Sequence, residues 1–389
     1  MIPGAPDASR WHRAEPRRTL PEAVLRRIAS RALPHSRVLD AQPLAGGLRN
    51  ANFKLRVDGG ERPVVLRIYE HDASLCRKEI DLLHMVGGAV PVPTVIHAEP
   101  RGLDGVPPFA VLEYIEGIGL RELRRGGDAA AIAQAAESAG EVLAAIGRFR
   151  FPKAGWLGPG PEPELEPELE PGPGPGPGPG LGPGLGSGPG LGPGLGPGPG
   201  LGPGPEPGPE VTAPLIEGAD PMPRFLDVCL GSARLCQRMP AEVRDGLHAL
   251  AWAQAPAWAE MEREPRLVHG DFNGGNLIVR PASGRWRVAA VLDWEFAVSS
   301  TPTTDLGNFL RYELAARPLL EPHFSEGYRR AGGELAGDWR QWARRIDLLA
   351  ICESLTHDGL PDAAAAELVE LARATLESRD PHFAELPLR

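Results

Sequence analysis

A tract from Gly158 to Glu210, in which glycine and proline alternate, limits what this chain can fold into. Proline cannot continue a helix or donate to a sheet, and glycine loses much conformational freedom when it is ordered. The tract also has too little apolar surface to offset the entropy of folding. We therefore predict a disordered, partly extended insertion at 158–210, and we expect the fold to be built from the two flanking segments.

The acidic balance of the chain comes mainly from this insertion. The chain has 51 acidic and 41 basic residues and a formal net charge of −10. Removing the seven glutamates of the insertion, which has no other charged residue, leaves 44 acidic and 41 basic residues. A near-neutral remainder does not predict the broad basic surface that binds nucleic acid. The acidic total is likewise no evidence for a cationic substrate.

The remaining composition indicates a soluble protein in a reducing compartment. Four isolated cysteines without zinc-ligand spacing are typical of cytoplasmic chains: Cys76, Cys229, Cys236 and Cys352. The first residues lack the apolar core of a signal peptide. No apolar run approaches the ~18 residues needed to span a bilayer. We predict a cytoplasmic protein with no membrane partner, and the sequence does not indicate an oligomeric state.

The segment 36–117 has the apolar alternation of strands, in three stretches: Asn52–Val57, Pro63–Tyr69 and Phe109–Ile115. A helix pattern begins at Asp72 and ends at Gly87. We predict a small sheet with one helix, preceded over residues 1–35 by an extension and a leading helix.

The segment 118–389, apart from the insertion, is mostly helical by pattern. Helices are predicted to begin at Asp128 and Asp338, and apolar spacing indicates others around 243–251 and 368–372. A hairpin is predicted between them, with strands Asn276–Arg280 and Arg287–Asp293 joined by turn residues 281–284. The predicted fold class is therefore α+β, with a small sheet part followed by a larger helical part.

The strongest chemical signal is VHGDFNGGNLIV, beginning at Val268, followed by VLDWE, beginning at Val291. If the hairpin turns near residue 284, Asn276 lies opposite Asp293 at its open end. Asp271 lies on the loop just before the first strand. The pattern thus brings two carboxylates and one amide together.

Phosphoryl transfer requires such a set. One carboxylate must orient the attacking hydroxyl and accept its proton, and hard oxygen ligands must hold Mg²⁺ against a triphosphate. Asp271 suits the first role, whereas Asn276 and Asp293 suit the second. His269 is expected to brace the loop through hydrogen bonds. A buried turn would explain Asp271 or Asn276 alone, but not the spacing of all three residues.

The order H-G-D-x-x-x-x-N, then a strand ending in D-W-E, resembles the aminoglycoside phosphotransferase and choline kinase superfamily. The resemblance extends from about Leu44 to the C-terminus, except for the insertion. It implies a two-lobed, protein-kinase-like fold. It also implies transfer of the γ-phosphoryl group of ATP, with Mg²⁺, to a hydroxyl of a small molecule.

The resemblance also covers the region before the helical part. The order G-G-x-x-N-x-x-F resembles the nucleotide loop of the family at three positions: Gly46, Gly47 and Asn50. Glycines let backbone amides approach phosphates, although the same pair often forms a plain turn. Arg67 lies on the strand that carries the phosphate-binding cation, and Glu79 matches the partner of that cation.

The stretch FAVLEYIEG resembles the connection between the two lobes. There, backbone groups from Glu113 to Ile115 are expected to contact adenine, whereas Tyr114 fits either this connection or the core. Asp305 matches a family residue that braces the catalytic loop, although a plain role at a helix start explains it equally well. Trp294 is expected to pack in the core, and the spacing does not decide whether Glu295 faces the substrate.

Two kinds of function fit these residues. The complete set of transfer residues favours an active small-molecule kinase, and the alternative is a nucleotide-binding protein of the same fold without transfer. A scaffold role for the insertion ranks last, and a protein kinase is disfavoured because H-R-D, D-F-G and A-P-E segments are missing. The acceptor stays open, with six candidate residues: Glu295, Trp339, Trp342, Asp347, Glu353 and Asp358. The two tryptophans fit core packing better.

Overall fold

The computed structural model describes residues 20–34, 36–44, 50–60, 62–70, 72–158, 221–313 and 317–377. The predicted N-terminal extension up to residue 19 lies outside these ranges, as do Gly46, Gly47 and all of the predicted insertion except Gly158. The described part is α+β, with an antiparallel sheet at the start and mostly helices afterwards. No helix within these ranges combines the length and apolar character needed to cross a membrane.

The first part of the chain forms a five-stranded antiparallel sheet in the order β1-β2-β3-β5-β4. Its strands are β1 (Val38–Pro43), β2 (Ala51–Val57), β3 (Val64–Ile68), β4 (Val95–Glu99) and β5 (Phe109–Glu113). The three predicted strands correspond to β2, β3 and β5, which form the middle of the sheet. The edge strands β1 and β4 are mostly half-buried, so they lack the alternation that reveals a strand.

Two helices pack on this sheet, α1 (Glu22–Ala32) and α2 (Ser74–Val86). Helix α2 begins two residues after Asp72, whose Oδ1 accepts a hydrogen bond from the Ser74 N–H at 2.9 Å. One apolar cluster lies between α1 and the sheet. A second, larger cluster extends from α2 and β5 to Phe272 and Trp294, so the catalytic motif is embedded in the core.

The second part of the chain is built from nine described helices. They are α3 (Leu120–Gly126), α4 (Ala129–Ile146), α5 (Pro221–Leu230), α6 (Ala233–Arg238), α7 (Ala241–Met261), α8 (Thr303–Leu310), α9 (Glu321–Arg330), α10 (Trp339–Thr356) and α11 (Asp362–Leu376). The helices predicted to begin at Asp128 and Asp338 are α4 and α10. The Asp128 carboxylate accepts the N–H groups of Ala130 and Ala131, both at 3.1 Å.

Two three-stranded sheets connect these helices. One has the order β10-β9-β6 and the other the order β7-β11-β8. The strands are β6 (Ile118–Gly119), β7 (Gly155–Trp156), β8 (Arg266–Val268), β9 (Leu277–Ala282), β10 (Arg285–Val291) and β11 (Val298–Ser300). Strand β6 directly follows Gly117, where a Cβ atom would lie 2.6 Å from the carbonyl oxygen of Val279. The segment between the two parts therefore packs against the hairpin of the catalytic motif.

The predicted register of this hairpin is wrong by one residue. Strand β9 extends two residues beyond its predicted end, β10 begins two residues before its predicted start, and the strands are joined by Ser283 and Gly284, both with positive φ. An irregularity in β10 between Val288 and Ala290 shifts the later pairs. As a result, Asn276 lies opposite Leu292, whose N–H donates to the Asn276 carbonyl at 2.9 Å. Asp293, the predicted partner of Asn276, is the next residue along the chain.

Helices α4 and α9 approach so closely that glycine is required at their contact. A Cβ atom at Gly140 would overlap the carbonyl oxygen of Phe324 and lie 2.6 Å from the Tyr328 nitrogen. Both neighbours are backbone atoms of a helix, so they cannot move aside as a flexible side chain can.

We expect Gly140→Ala to lower the free energy of unfolding by at least about 1–3 kcal/mol, since overpacking against rigid backbone forces the helices apart. Gly126→Ala is the matched control, because a Cβ atom there meets nothing within 4 Å. Urea denaturation of both variants checks the prediction. Equal stability of the two variants would contradict it.

Candidate active site

The backbone of the loop that carries Asp271 is held by Asp305, at the start of α8. The two Asp305 carboxylate oxygens accept the N–H groups of His269 at 2.7 Å and Gly270 at 2.9 Å. Asp305 is fully buried. Gly270 has φ +79°, and a Cβ atom there would overlap the Phe296 carbonyl oxygen. Asp305 thus does brace the loop, as the resemblance implies.

His269 also holds the loop. Its Nδ1 accepts the Asp271 N–H at 3.2 Å, and its Nε2 lies 3.0 Å from the Leu292 carbonyl oxygen. Burial lowers the pKa of His269 to about 4, so the ring is neutral and donates from Nε2. The ring packs against Trp294, which is fully buried. This set of contacts indicates a bracing role for His269 and a packing role for Trp294.

The Asp271 carboxylate is oriented by two amides. Asn273 Nδ2 donates to its Oδ1 at 2.7 Å, and Asn276 Nδ2 donates to its Oδ2 at 2.8 Å. Burial and the nearby Asp293 raise the pKa of Asp271 to about 6, against the opposing effects of Arg311 and the two amides. The carboxylate is therefore mostly ionised at pH 7. Asn273 was not predicted, although it lies within the motif two residues after Asp271.

Asp293 begins a short 3-10 turn, Trp294–Phe296, with left-handed backbone dihedrals of φ 68° and ψ 68°. Such a conformation is unfavourable for a residue other than glycine, so neighbouring contacts must hold it. One contact is an ion pair between Asp293 Oδ1 and Arg67 Nη2 at 2.5 Å. The predicted metal ligand therefore lies beside the cation predicted to bind phosphate.

Arg67 is the centre of a buried charge cluster. Its Nε lies 2.9 Å from Glu79 Oε2, so the predicted ion pair between strand and helix is present. The Tyr69 hydroxyl donates to the same Glu79 oxygen at 2.6 Å. Burial opposes the Arg67 charge, but Glu79 and Asp293 outweigh it and raise the pKa of Arg67. The guanidinium is therefore fixed in its charged form.

Glu295 belongs to this cluster and does not lie free on an acceptor surface. It is buried, its Oε2 accepts a hydrogen bond from Asn50 Nδ2 at 2.7 Å, and the same oxygen lies 3.8 Å from Arg67 Nη2. Asn50 is buried as well. The two residues link the end of the predicted nucleotide loop to the D-W-E turn.

Helix α2 holds the D-W-E turn through two consecutive side chains. Lys78 Nζ donates to the Glu295 carbonyl at 2.8 Å, and Glu79 Oε1 accepts the Trp294 N–H at 3.3 Å. Burial lowers the pKa of Lys78 to about 8. Sequence reasoning missed Lys78. Its signal was a lysine beside Glu79 within the apolar pattern of α2, where a solvated lysine is not expected.

The segment predicted to contact adenine follows β5. The Glu113 N–H donates to the Thr94 carbonyl at 2.9 Å, so this amide takes part in the sheet. Lys54 Nζ lies 4.0 Å from the centre of the Tyr114 ring, and the ring is half-buried. Ile115 is half-buried too. The adenine contacts of Glu113 and Ile115 remain predictions.

The other acidic acceptor candidates are paired with basic side chains. Asp347 is buried and accepts two hydrogen bonds from Arg311, from Nε at 2.8 Å and Nη2 at 2.6 Å. Glu353 lies 2.9 Å from His357, and the exposed Asp358 lies 3.3 Å from Arg234. Asp347 is therefore not a solvated carboxylate that could face an acceptor.

The two tryptophan candidates lie at the start of α10. Trp339 is buried, whereas the half-buried Trp342 donates from Nε1 to Asp338 at 2.9 Å. Both line a cavity of about 440 Å³ together with Met261, Thr303, Leu306, Glu334, Leu335 and Ala336. Asp271 and its amide partners are not among the lining residues.

The described residues contain no group of three or more histidine, cysteine or acidic side chains able to hold a metal ion by themselves. Asn276 and Asp293 would supply two oxygen ligands. Because Asn276 donates to Asp271 through Nδ2, its Oδ1 is left to accept or to bind a cation. Mg²⁺ commonly takes one or two protein carboxylates and fills its remaining positions with water and phosphate oxygens. The residues present therefore fit a cation that arrives with a nucleotide.

The chain belongs to the phosphotransferase enzyme family, whose sequence profile matches residues 40–344. No curated protein sequence matches the chain.

Solved structures show the same fold. The aminoglycoside phosphotransferase APH(4)-Ia is 18% identical, with a TM-score of 0.57, over 92% of this chain and 99% of that chain. The complex of APH(2″)-IIIa with GDP and kanamycin is 15% identical, with a TM-score of 0.55, over 91% and 97%. The complex of APH(2″)-IIa with gentamicin is 13% identical, with a TM-score of 0.53, over 92% and 97%. These likenesses establish the two-lobed, protein-kinase-like fold.

The raised pKa of Asp271 generates a prediction about stability. We expect Asp271→Asn to raise the free energy of unfolding of the nucleotide-free protein by about 1 kcal/mol at pH 7.5, since removal of a charge that folding desolvates outweighs the loss of one of the two amide hydrogen bonds. For a fully buried carboxylate, a pKa of about 6 would imply a larger gain in the free energy of unfolding, but the Asp271 side chain is only half-buried. The gain should be complete above pH 6 and vanish below about pH 4, where both states bind the proton.

Chemical denaturation between pH 4 and pH 8 measures this difference. Asp58→Asn is the matched control, because Asp58 is exposed in the turn after β2. A variant that is less stable than the wild type at pH 7.5, or a gain that does not depend on pH, would contradict the prediction.

Proposed function

We propose that this protein is an Mg·ATP-dependent phosphotransferase that moves the γ-phosphoryl group to a hydroxyl of a small molecule, with Asp271 as the base. The observation that carries the proposal is the Asp271 carboxylate, half-buried and held through both oxygens by Asn273 and Asn276.

Asp271 would act on the acceptor. Its ionised carboxylate orients the hydroxyl, whose oxygen bonds to the γ-phosphorus while the bond to the ADP oxygen breaks. The hydroxyl proton passes to Asp271. Asp305 and His269 would keep the loop in place during transfer, since both hold its backbone.

The nucleotide would lie between the sheet and this loop. Arg67, fixed by Glu79, would bind phosphate oxygens, and the loop with Gly46, Gly47 and Asn50 would approach the phosphates with its backbone. Backbone groups of Glu113 and Ile115 would contact adenine. Asn276 and Asp293 would hold Mg²⁺, which neutralises the charge of the phosphates when it is bound. Four free cysteines and the use of ATP favour a cytoplasmic location.

Loss of the base should separate turnover from binding. We expect Asp271→Ala to lower kcat by about 10²–10⁴-fold, while nucleotide binding stays within a few-fold of the wild type. ATP consumption over a panel of hydroxyl acceptors measures turnover, and a thermal shift with Mg·ATP measures binding. The panel holds aminoglycosides, choline, ethanolamine, homoserine, methylthioribose, simple sugars and hydroxyacyl thioesters.

The control is Asp58→Ala, which removes an exposed carboxylate from the turn after β2. Binding of Mg·ATP without turnover of any acceptor would favour a nucleotide-binding protein of this fold. Absence of both binding and turnover would overturn the proposal.

The hydrogen bond from Lys78 to the Glu295 carbonyl predicts how turnover depends on the Mg²⁺ concentration. We expect Lys78→Met to raise the Mg²⁺ concentration for half-maximal turnover several-fold, because the Glu295 carbonyl loses its donor and Asp293 is held less firmly. Arg77→Met is the matched control, since Arg77 directly precedes Lys78 and pairs with Asp81 on the same helix. Equal Mg²⁺ dependence of Lys78→Met and Arg77→Met would contradict the idea that Lys78 helps to hold Asp293 in place.

A further inference from the structure

The charge left beside Asp271 is positive. The four acidic acceptor candidates are bound to other groups: Glu295 to Asn50, Asp347 to Arg311, Glu353 to His357 and Asp358 to Arg234. A polycationic acceptor would need uncompensated carboxylates near the base. Each of these four candidate carboxylates already has a partner.

Arg121, near the start of α3, lies directly on the catalytic loop. Its backbone N–H donates to the Gly274 carbonyl at 2.9 Å, and its guanidinium Nη2 donates to Asn273 Oδ1 at 3.2 Å. Asn273 in turn donates to Asp271 at 2.7 Å. One amide therefore separates the Arg121 guanidinium from the base, and Arg121 is exposed.

Arg125 lies one helical turn further along α3, also exposed, and within electrostatic range of Arg121. Like charges at positions i and i+4 destabilise a helix by about 0.2–0.5 kcal/mol. Within the described ranges, neither arginine has an ion pair with a carboxylate closer than 4.0 Å. Arg124, between them, instead binds the Glu313 carboxylate at 3.3 Å. Arg121 thus presents a charge with no carboxylate ion pair next to the base, and Arg125 adds positive charge beside Arg121.

We infer that the phosphoryl acceptor is an anionic hydroxyl compound, bearing a carboxylate or phosphate group that Arg121 binds while its hydroxyl lies on Asp271. This rests on the proposed function. A guanidinium binds either group through two parallel hydrogen bonds, and it is always charged. Arg125 adds attraction at longer range. Positively charged acceptors are repelled from the same position.

Three probes of one carbon skeleton test the sign of the charge: glycerate, glyceramide and 3-amino-1,2-propanediol. With wild-type protein and Mg·ATP, kcat/KM should fall in that order, by about tenfold or more from the anion to the cation. Arg121→Gln can still donate to Asn273 but has no charge, and it should lose most of the preference through a higher KM for glycerate. Arg121→Lys should restore part of the preference, and Arg121→Glu should reverse it. Arg26→Gln, an exposed arginine on α1, is the control.

Sulfate provides a readout that does not depend on turnover. Sulfate should raise the melting temperature of the Mg·ADP-bound protein above that in chloride at equal ionic strength, and Arg121→Gln should abolish this rise. An equal rise in both proteins would overturn the inference. A wild-type preference for the amine, or a preference that Arg121→Gln retains, would overturn it too.

Two further outcomes are distinct. An equal loss of kcat in Arg121→Gln with all three acceptors, and in acceptor-independent ATP hydrolysis, would assign Arg121 to the transferred phosphoryl group and overturn the inference. If Asp271→Ala retained turnover, the proposed function would fail, whereas the sulfate measurement would still report on Arg121.

Discussion

The ion pairs of Arg67 connect the sheet to the chemistry of this protein. Arg67 lies on β3, Glu79 on α2, and Asp293 on the turn after the hairpin, so one guanidinium joins three separate elements. Charges in such a buried position are costly unless every one of them is paired. The pairing therefore determines where the sheet and α2 lie relative to the D-W-E turn. Loss of one partner would leave uncompensated charge in the core.

The two sides of the catalytic loop differ in how they are held. Below the loop, Asp305 binds two backbone N–H groups, and His269 bridges to Leu292. Above it, two side-chain amides bind the Asp271 carboxylate. The lower contacts fix the backbone, whereas the upper ones set the direction and acidity of a single group. Arg121, whose guanidinium contacts Asn273, is not one of the residues that hold the loop backbone through Asp305 and His269.

Much of this arrangement was predictable from the sequence, because the motif places its polar residues at fixed distances along the chain. The central strands and the helices beginning at Asp128 and Asp338 follow from alternation and caps, whereas the pair of Arg67 and Glu79 follows from the resemblance to the family. The register of the hairpin does not, since the irregularity at Val288 has no signal in residue type. The pairing of Asp347 with Arg311 is missed for a related reason: 36 residues separate them, and only the packing of α8 against α10 brings them together.

The contacts of Asp305 have a consequence for how such proteins diverge. Because Asp305 binds N–H groups, which every residue except proline has, it places few demands on the side chains of the loop. The Leu292 N–H likewise binds a backbone carbonyl. A loop held through its main chain can change most of its surroundings and keep its shape.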